Sequence, residues 1–140
     1  TYLDQAPVQS VDVRQGLDNT LVMLRGKLKA GINVRRDYGH DLPRIQAYGS
    51  ELNQVWTNII DNAIDAMAHD GGTLTISSHH KENYLVIAVS DTGEGIPEAN
   101  LNRIFDPFFT TKPVGKGTGL GLSICYGIIE KMGGKIEVQS

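Results

Sequence analysis

Leu17, Leu21, Leu24 and Leu28 recur at intervals of three and four between Val11 and Ala30, the spacing that lines one face of a helix, and Gly31 supplies a stop. Two short extended runs follow, INVRRDY and RIQAY, separated by the turn-forming GHDLP; they are expected to lie side by side as a hairpin or as neighbouring strands. Ser50 suits a helix N-cap, with Gln54 near the place of a capping-box partner. From there the run ELNQVWTNIIDNAIDAMAH keeps Leu52, Val55, Trp56, Ile59, Ile60, Ala63, Ile64 and Met67 in an unbroken helical repeat. After DGG the period shortens: TLTISSHH and YLVIAVSD are alternating or apolar, and Lys81-Glu82-Asn83 between them predicts an antiparallel hairpin. Glycines and prolines then break the pattern from Thr92 to Gly117 around one short helical stretch, EANLNRIF, as in a long functional loop. A final helix is predicted from Thr118 to Met132, stopped by Gly133-Gly134, with KIEVQ opening one more strand.

Composition narrows the class without naming a function. The 140 residues suit one domain, 1–140, with a core of its own. Hydrophobic residues at 40% and charged residues at 21% are ordinary for a globular chain, and a net charge of -3 leaves no basic footprint for nucleic acid. The longest apolar run, Tyr84 to Val89, is far too short to cross a bilayer, and the start lacks a charged segment followed by an apolar signal core. The chain is therefore expected to be soluble, a cytoplasmic domain without membrane contact, with a membrane anchor elsewhere in the full-length protein left open. A single cysteine, Cys125, excludes an internal disulfide and fits a reducing compartment; its apolar helical setting suits a buried, inert thiol.

Three stretches invite chemistry. GKGTGLGLS, from Gly115 to Ser123, has glycine at every second position up to Gly121 and runs straight into a helix. Such a run is either a linker or tight turn, or a loop whose backbone N–H groups and helix dipole hold phosphate. On the long helix Asn58, Asn62 and Asp65 stack along one polar edge beside the apolar face; they are either solvated or, through an amide oxygen, part of a hard-cation site for magnesium. In VSDTGEGIP, Asp91 ends an apolar strand just before Gly93 and Gly95. It is either a turn former or a buried acceptor for an exocyclic amine such as that of adenine.

In chain order, NIIDNAIDAM, DTGEGIP and GKGTGLGLS resemble the N box and the two glycine boxes of the GHKL superfamily of ATP-binding domains, and IFDPFFTTK resembles the phenylalanine box of sensor histidine kinases. The resemblance covers Glu51 to Val138. It implies a two-layer α/β sandwich of the Bergerat type, a mixed sheet with three helices on one face and ATP between the long helix and a lid. Residue by residue it implies that Asn62 coordinates the magnesium bridging the ATP phosphates, with Asn58 one turn earlier beside the phosphate chain. Asp91 would accept from the adenine amino group, helped by Thr118. Gly93 and Gly95 would floor the base pocket, and Ile96 would touch the ring. Gly117, Gly119, Leu120, Gly121 and Leu122 would offer backbone N–H groups to phosphate. A lid of about 97–117 would be packed down by Phe105, Phe108 and Phe109, with Lys112 or Lys116 reaching phosphate.

The same resemblance separates kinase from hydrolase. Hydrolysing branches of the superfamily carry a water-activating glutamate one turn before the magnesium asparagine, where this chain has Asn58; an amide is no general base, which suits a phosphoryl donor. Asn58 and Lys112 are thereby the residues assigned to phosphoryl transfer from Mg-ATP. The alternatives are a GHKL ATPase and a degenerate nucleotide-sensing interaction module. His40-Asp41 and His69-Asp70 do not fit a phosphoacceptor, since Pro43 follows the first and Gly71-Gly72 the second, and His79 and His80 read as exposed strand residues. The acceptor histidine is accordingly expected on a separate dimerisation domain, with a response regulator downstream. Two departures stand out: Asp65 and Ala66 occupy places where many relatives carry a basic and an aromatic residue, and the family usually adds a last strand beyond Ser140.

Overall fold

The computed structural model describes residues 8–29, 31–110 and 121–140. They fall into two compact units, Thr1–Glu94 and Gly95–Ser140. The first opens with β1 (Gln9–Val11), after which Asp12 caps α1 (Val13–Met23) by accepting a hydrogen bond from the Gln15 N–H at 3.3 Å. The helix expected from Val11 to Ala30 is thus shorter at both ends. Val11 is committed to a strand pair, and past Met23 the chain winds through Gly26, a weak helix former, into a 3-10 turn at Lys27–Lys29.

β2 (Ile32–Tyr38) and β3 (Ile45–Ala47) do not lie side by side as the sequence suggests. β3 pairs antiparallel with β1, whereas β2 pairs in parallel with β4 (Gly72–Lys81) from Ile32 opposite Gly72 to Tyr38 opposite Ser78. Gly39 extends that bonding, its N–H donating to the Ser78 carbonyl at 2.8 Å, and Pro43 then offers no N–H to a ladder. The turn therefore hands the chain to another sheet.

Between β3 and β4 runs α2 (Gly49–Ala66), the crossover that a parallel pair requires. Its N-cap is Tyr48 in an extended conformation, not Ser50, which falls inside the first turn beside Glu51, where an acid suits the helix dipole. β5 (Tyr84–Asp91) returns antiparallel to β4 across Glu82 and Asn83, giving a mixed sheet of order β2-β4-β5. Leu17 and Leu21 of α1, Leu52, Val55 and Ile60 of α2, and Leu74 and Ile76 of β4 are nearly free of solvent, each contributing about 1.5–3 kcal/mol by burial. His79 and His80 are exposed on β4, as expected.

Tyr38 ties β2 to α1. Its hydroxyl donates to Asp18 Oδ1 at 2.9 Å, Arg36 Nε donates to the same oxygen at 3.2 Å, and the Arg14 guanidinium stands 5.3 Å over the ring. Burial first, then the hydrogen bond to Asp18 and its charge, push the Tyr38 hydroxyl up to about 12. Because this value lies above the unfolded one of about 10, the stabilisation is fully present below pH 10 and is lost as pH rises through 12. Tyr38→Phe is expected to lower stability by about 1 kcal/mol at neutral pH, a difference that closes toward pH 12 in urea unfolding curves.

The second unit contains α3 (Glu98–Leu101) and α4 (Gly121–Lys131). α4 ends as predicted at the glycine pair: Gly133, at φ +79, donates to the Glu130 carbonyl at 2.9 Å and Gly134 to that of Ile129 at 3.0 Å, the Schellman arrangement. Cys125 and Ile128 are buried, which fits the inert thiol expected of Cys125. The three phenylalanines have different surroundings. Phe105 lies 5.5 Å from the Tyr126 ring and Phe109 lies under the Arg103 guanidinium at 4.8 Å, but Phe108, at φ +67, is 72% exposed. KIEVQ keeps an alternation, with Ile136 and Val138 half-buried, yet forms no strand among the described residues. The fold is α/β, a mixed sheet with helices, and among the described residues no helix is long and apolar enough to cross a membrane.

Candidate functional site

α2 presents its polar edge where the helical repeat places it. Asn58, Asn62 and Asp65 are all half-buried, flanking the wholly buried Ile60 and the buried Ala63 and Ile64. Asparagine weakens a helix, and here the packing of the opposite face carries the segment. A partner of this edge comes from far away in sequence: Lys27, in the 3-10 turn after α1, forms ion pairs with Asp61 and with Asp65, the latter at 2.9 Å. Burial pulls the Lys27 pKa down, but the hydrogen bonds and charges of Asp61 and Asp65 outweigh it and hold the ammonium above the ordinary lysine range. No spacing in the sequence announces a contact across 34 and 38 positions.

The turn after β5 is built against the last residues of α2. Of the two readings of Asp91 the structure shows the turn former: the residue is exposed where the strand ends, and its Oδ1 accepts from the Gly93 N–H two residues on at 2.9 Å. Gly93 meets the helix closely: a Cβ at this position would stand 2.3 Å from the Ala66 carbonyl oxygen. Glu94 N–H donates to that same carbonyl at 3.2 Å, satisfying one of the orphan acceptors at the helix end. Thr92, a residue the motifs did not single out, anchors the turn on the other side by accepting from the Thr73 N–H at 3.0 Å.

Between these elements lies a cavity of about 420 Å³ walled by Asp65, Ala66, Met67, Thr92 and Gly93, among others. Its lining is mainly polar, the carboxylates of Asp65, Asp70 and Glu94 and the His69 imidazole standing beside Ala66 and Met67. In the second unit Gly95 adopts φ +76, which favours glycine, and the half-buried Ile96 donates its N–H to the Ser140 hydroxyl at 2.6 Å. Gly121 and Leu122 open α4 and are half-buried. Lys112, Lys116, Gly117, Thr118, Gly119 and Leu120 lie outside the described residues.

The donors present fit magnesium nucleotide. Asn62 offers one amide oxygen, and among the described residues no three His, Cys, Asp or Glu side chains cluster as a cage of their own. A magnesium ion bound mainly through phosphate and water needs no more than such an oxygen.

Comparison with known proteins bears on the family and the fold. The family described as histidine kinase-, DNA gyrase B-, and HSP90-like ATPase matches residues 48–140. The sensor kinase CckA of Brucella abortus is 42% identical over 144 residues, a match that covers 92% of this chain and 15% of that protein. Among solved structures, the nucleotide-free catalytic domain of histidine kinase ThkA superposes with a TM-score of 0.84 at 33% identity, covering 96% of this chain and 90% of the other. ThkA in complex with the response regulator protein TrrA matches with a TM-score of 0.76 at 30% identity, covering 91% of this chain and 36% of that one.

Proposed function

The chain belongs to the histidine kinase-, DNA gyrase B-, and HSP90-like ATPase family, and from that premise we propose that it is the ATP-binding catalytic domain of a sensor histidine kinase. The γ-phosphoryl group of Mg-ATP passes to a histidine on a separate dimerisation domain: the bond from γ-phosphorus to the bridging oxygen of ADP breaks as a bond to an imidazole nitrogen forms. This chain spans about 15% of its curated relative CckA, so the acceptor domain, the response regulator downstream and a cytoplasmic setting are parts of the proposal.

Asn58 carries the reading. It stands half-buried on α2 one turn before Asn62, where a hydrolase needs a base, and its amide cannot take a proton from water. The site then holds ATP without readily hydrolysing it, and catalysis consists of placing the γ-phosphate in line with an outside nucleophile. In the roles proposed, Asn62 ligates magnesium, which when bound neutralises phosphate charge. Asp91 recognises the adenine amine; Gly93, Gly95 and Ile96 shape the base pocket. Lys112, Lys116 and the backbone of Gly117, Thr118, Gly119, Leu120, Gly121 and Leu122 hold phosphate. Residues 1–140 act as one catalytic domain with a lid of about 97–117.

Isothermal titration with a non-hydrolysable ATP analogue tests this. Wild-type protein is expected to bind in a magnesium-dependent manner, and Asn62→Ala to bind about thirtyfold more weakly with the magnesium dependence lost. Absence of binding by the wild type would refute the kinase reading and leave the interaction module.

A further inference from the structure

Lys27 reaches from the turn after α1 to Asp61 and Asp65, a pair one helical turn apart on α2 that brackets Asn62 in sequence. On the reading that ATP phosphates lie at Asn58 and Asn62, the helix edge that meets a polyanion carries two carboxylates of its own. Like charge so placed opposes nucleotide in proportion to the charge the nucleotide bears. Resting on that reading, we infer that Lys27 is a positioning residue of the nucleotide site, holding the Asp61 and Asp65 carboxylates and cancelling half of their charge on the α2 edge so that triphosphate can approach it.

Exposure favours this over a structural role. The side chains of Lys27, Asp61 and Asp65 are 45%, 36% and 34% accessible, and ion pairs so exposed add little to folding stability, with a median of about 0–1 kcal/mol. What such a cluster does alter is the local potential, which is felt by a charged ligand within about a Debye length of 8–10 Å. Lys27 acts through its partners, so its effect scales with phosphate number and its loss is offset when the partners lose their charge.

The test is titration of the whole chain with adenosine, ADP and the non-hydrolysable ATP analogue. Lys27→Ala is expected to weaken the analogue about tenfold, ADP less and adenosine not at all, with unfolding unchanged. Lys27→Arg is expected to keep wild-type affinity, and Lys27→Ala combined with Asp61→Asn and Asp65→Asn to regain most of what the single variant loses. The tenfold loss should shrink in high salt. Equal affinity for the analogue in wild type and Lys27→Ala, an equal loss for adenosine, or no recovery in the combined variant would each overturn the inference while leaving the kinase reading in place. Failure of the wild type to bind any nucleotide would overturn both.

Discussion

Gly93→Ala is expected to destabilise the protein by about 3 kcal/mol and to remove nucleotide binding from the fraction that remains folded. The added Cβ would stand 2.3 Å from the Ala66 carbonyl oxygen, 2.6 Å from the Ala66 carbonyl carbon and 2.9 Å from its Cβ. Two of these three are backbone atoms of α2, which cannot rotate away as a side-chain tip can. The turn must lift, and in lifting it breaks the Glu94 hydrogen bond to Ala66 and carries away the wall of the cavity. Urea unfolding reads the first effect and calorimetry at low temperature, where the variant is still folded, reads the second. Wild-type stability in this variant would show that the turn does not rest on the helix as described.

Asp91→Ala is expected to weaken the ATP analogue about hundredfold, the upper range for a charge-assisted hydrogen bond lost together with the turn that aims it. The geometry separates the two parts. The Asp91 carboxylate already supports the Gly93 N–H at 2.9 Å, and an asparagine oxygen can do the same. Asp91→Asn should therefore unfold at the wild-type urea concentration while losing preference for ATP over a guanine nucleotide, because an amide can donate to the guanine carbonyl where a carboxylate cannot. Retained preference in Asp91→Asn would remove Asp91 from base recognition.

Elements whose information is local were legible from the residues alone. α2 was visible because eight apolar positions repeat without interruption, the β4–β5 hairpin because two strand-like runs stand a short turn apart, and the end of α4 because a glycine pair follows its last turn. Partners set by tertiary structure were not. The pairing of β2 with β4 depends on which sheet accepts a strand, and the capping of α2 by Tyr48 on where β3 releases the chain. The placing of Asn58 and Asn62 on one edge of α2, and of Asp91 and Gly93 in one turn after β5, was readable because local spacing sets it. Lys27 was hidden because a surface lysine in a turn looks alike whether its partners are water or two aspartates.

The course of α2 as the crossover of a parallel pair also governs its dynamics. Its asparagines ride on a segment anchored covalently at both ends, by β3 before it and by β4 after it, while β4 is hydrogen-bonded to neighbours on both edges. Amide protons of α2 and β4 are therefore expected to exchange more slowly than those of the two-stranded β1–β3 pair, which hydrogen exchange of the chain would show. If nucleotide binds at Asn58 and Asn62 as proposed, the helix that carries them is ordered beforehand, and the entropy of ordering it is met by folding and not by binding.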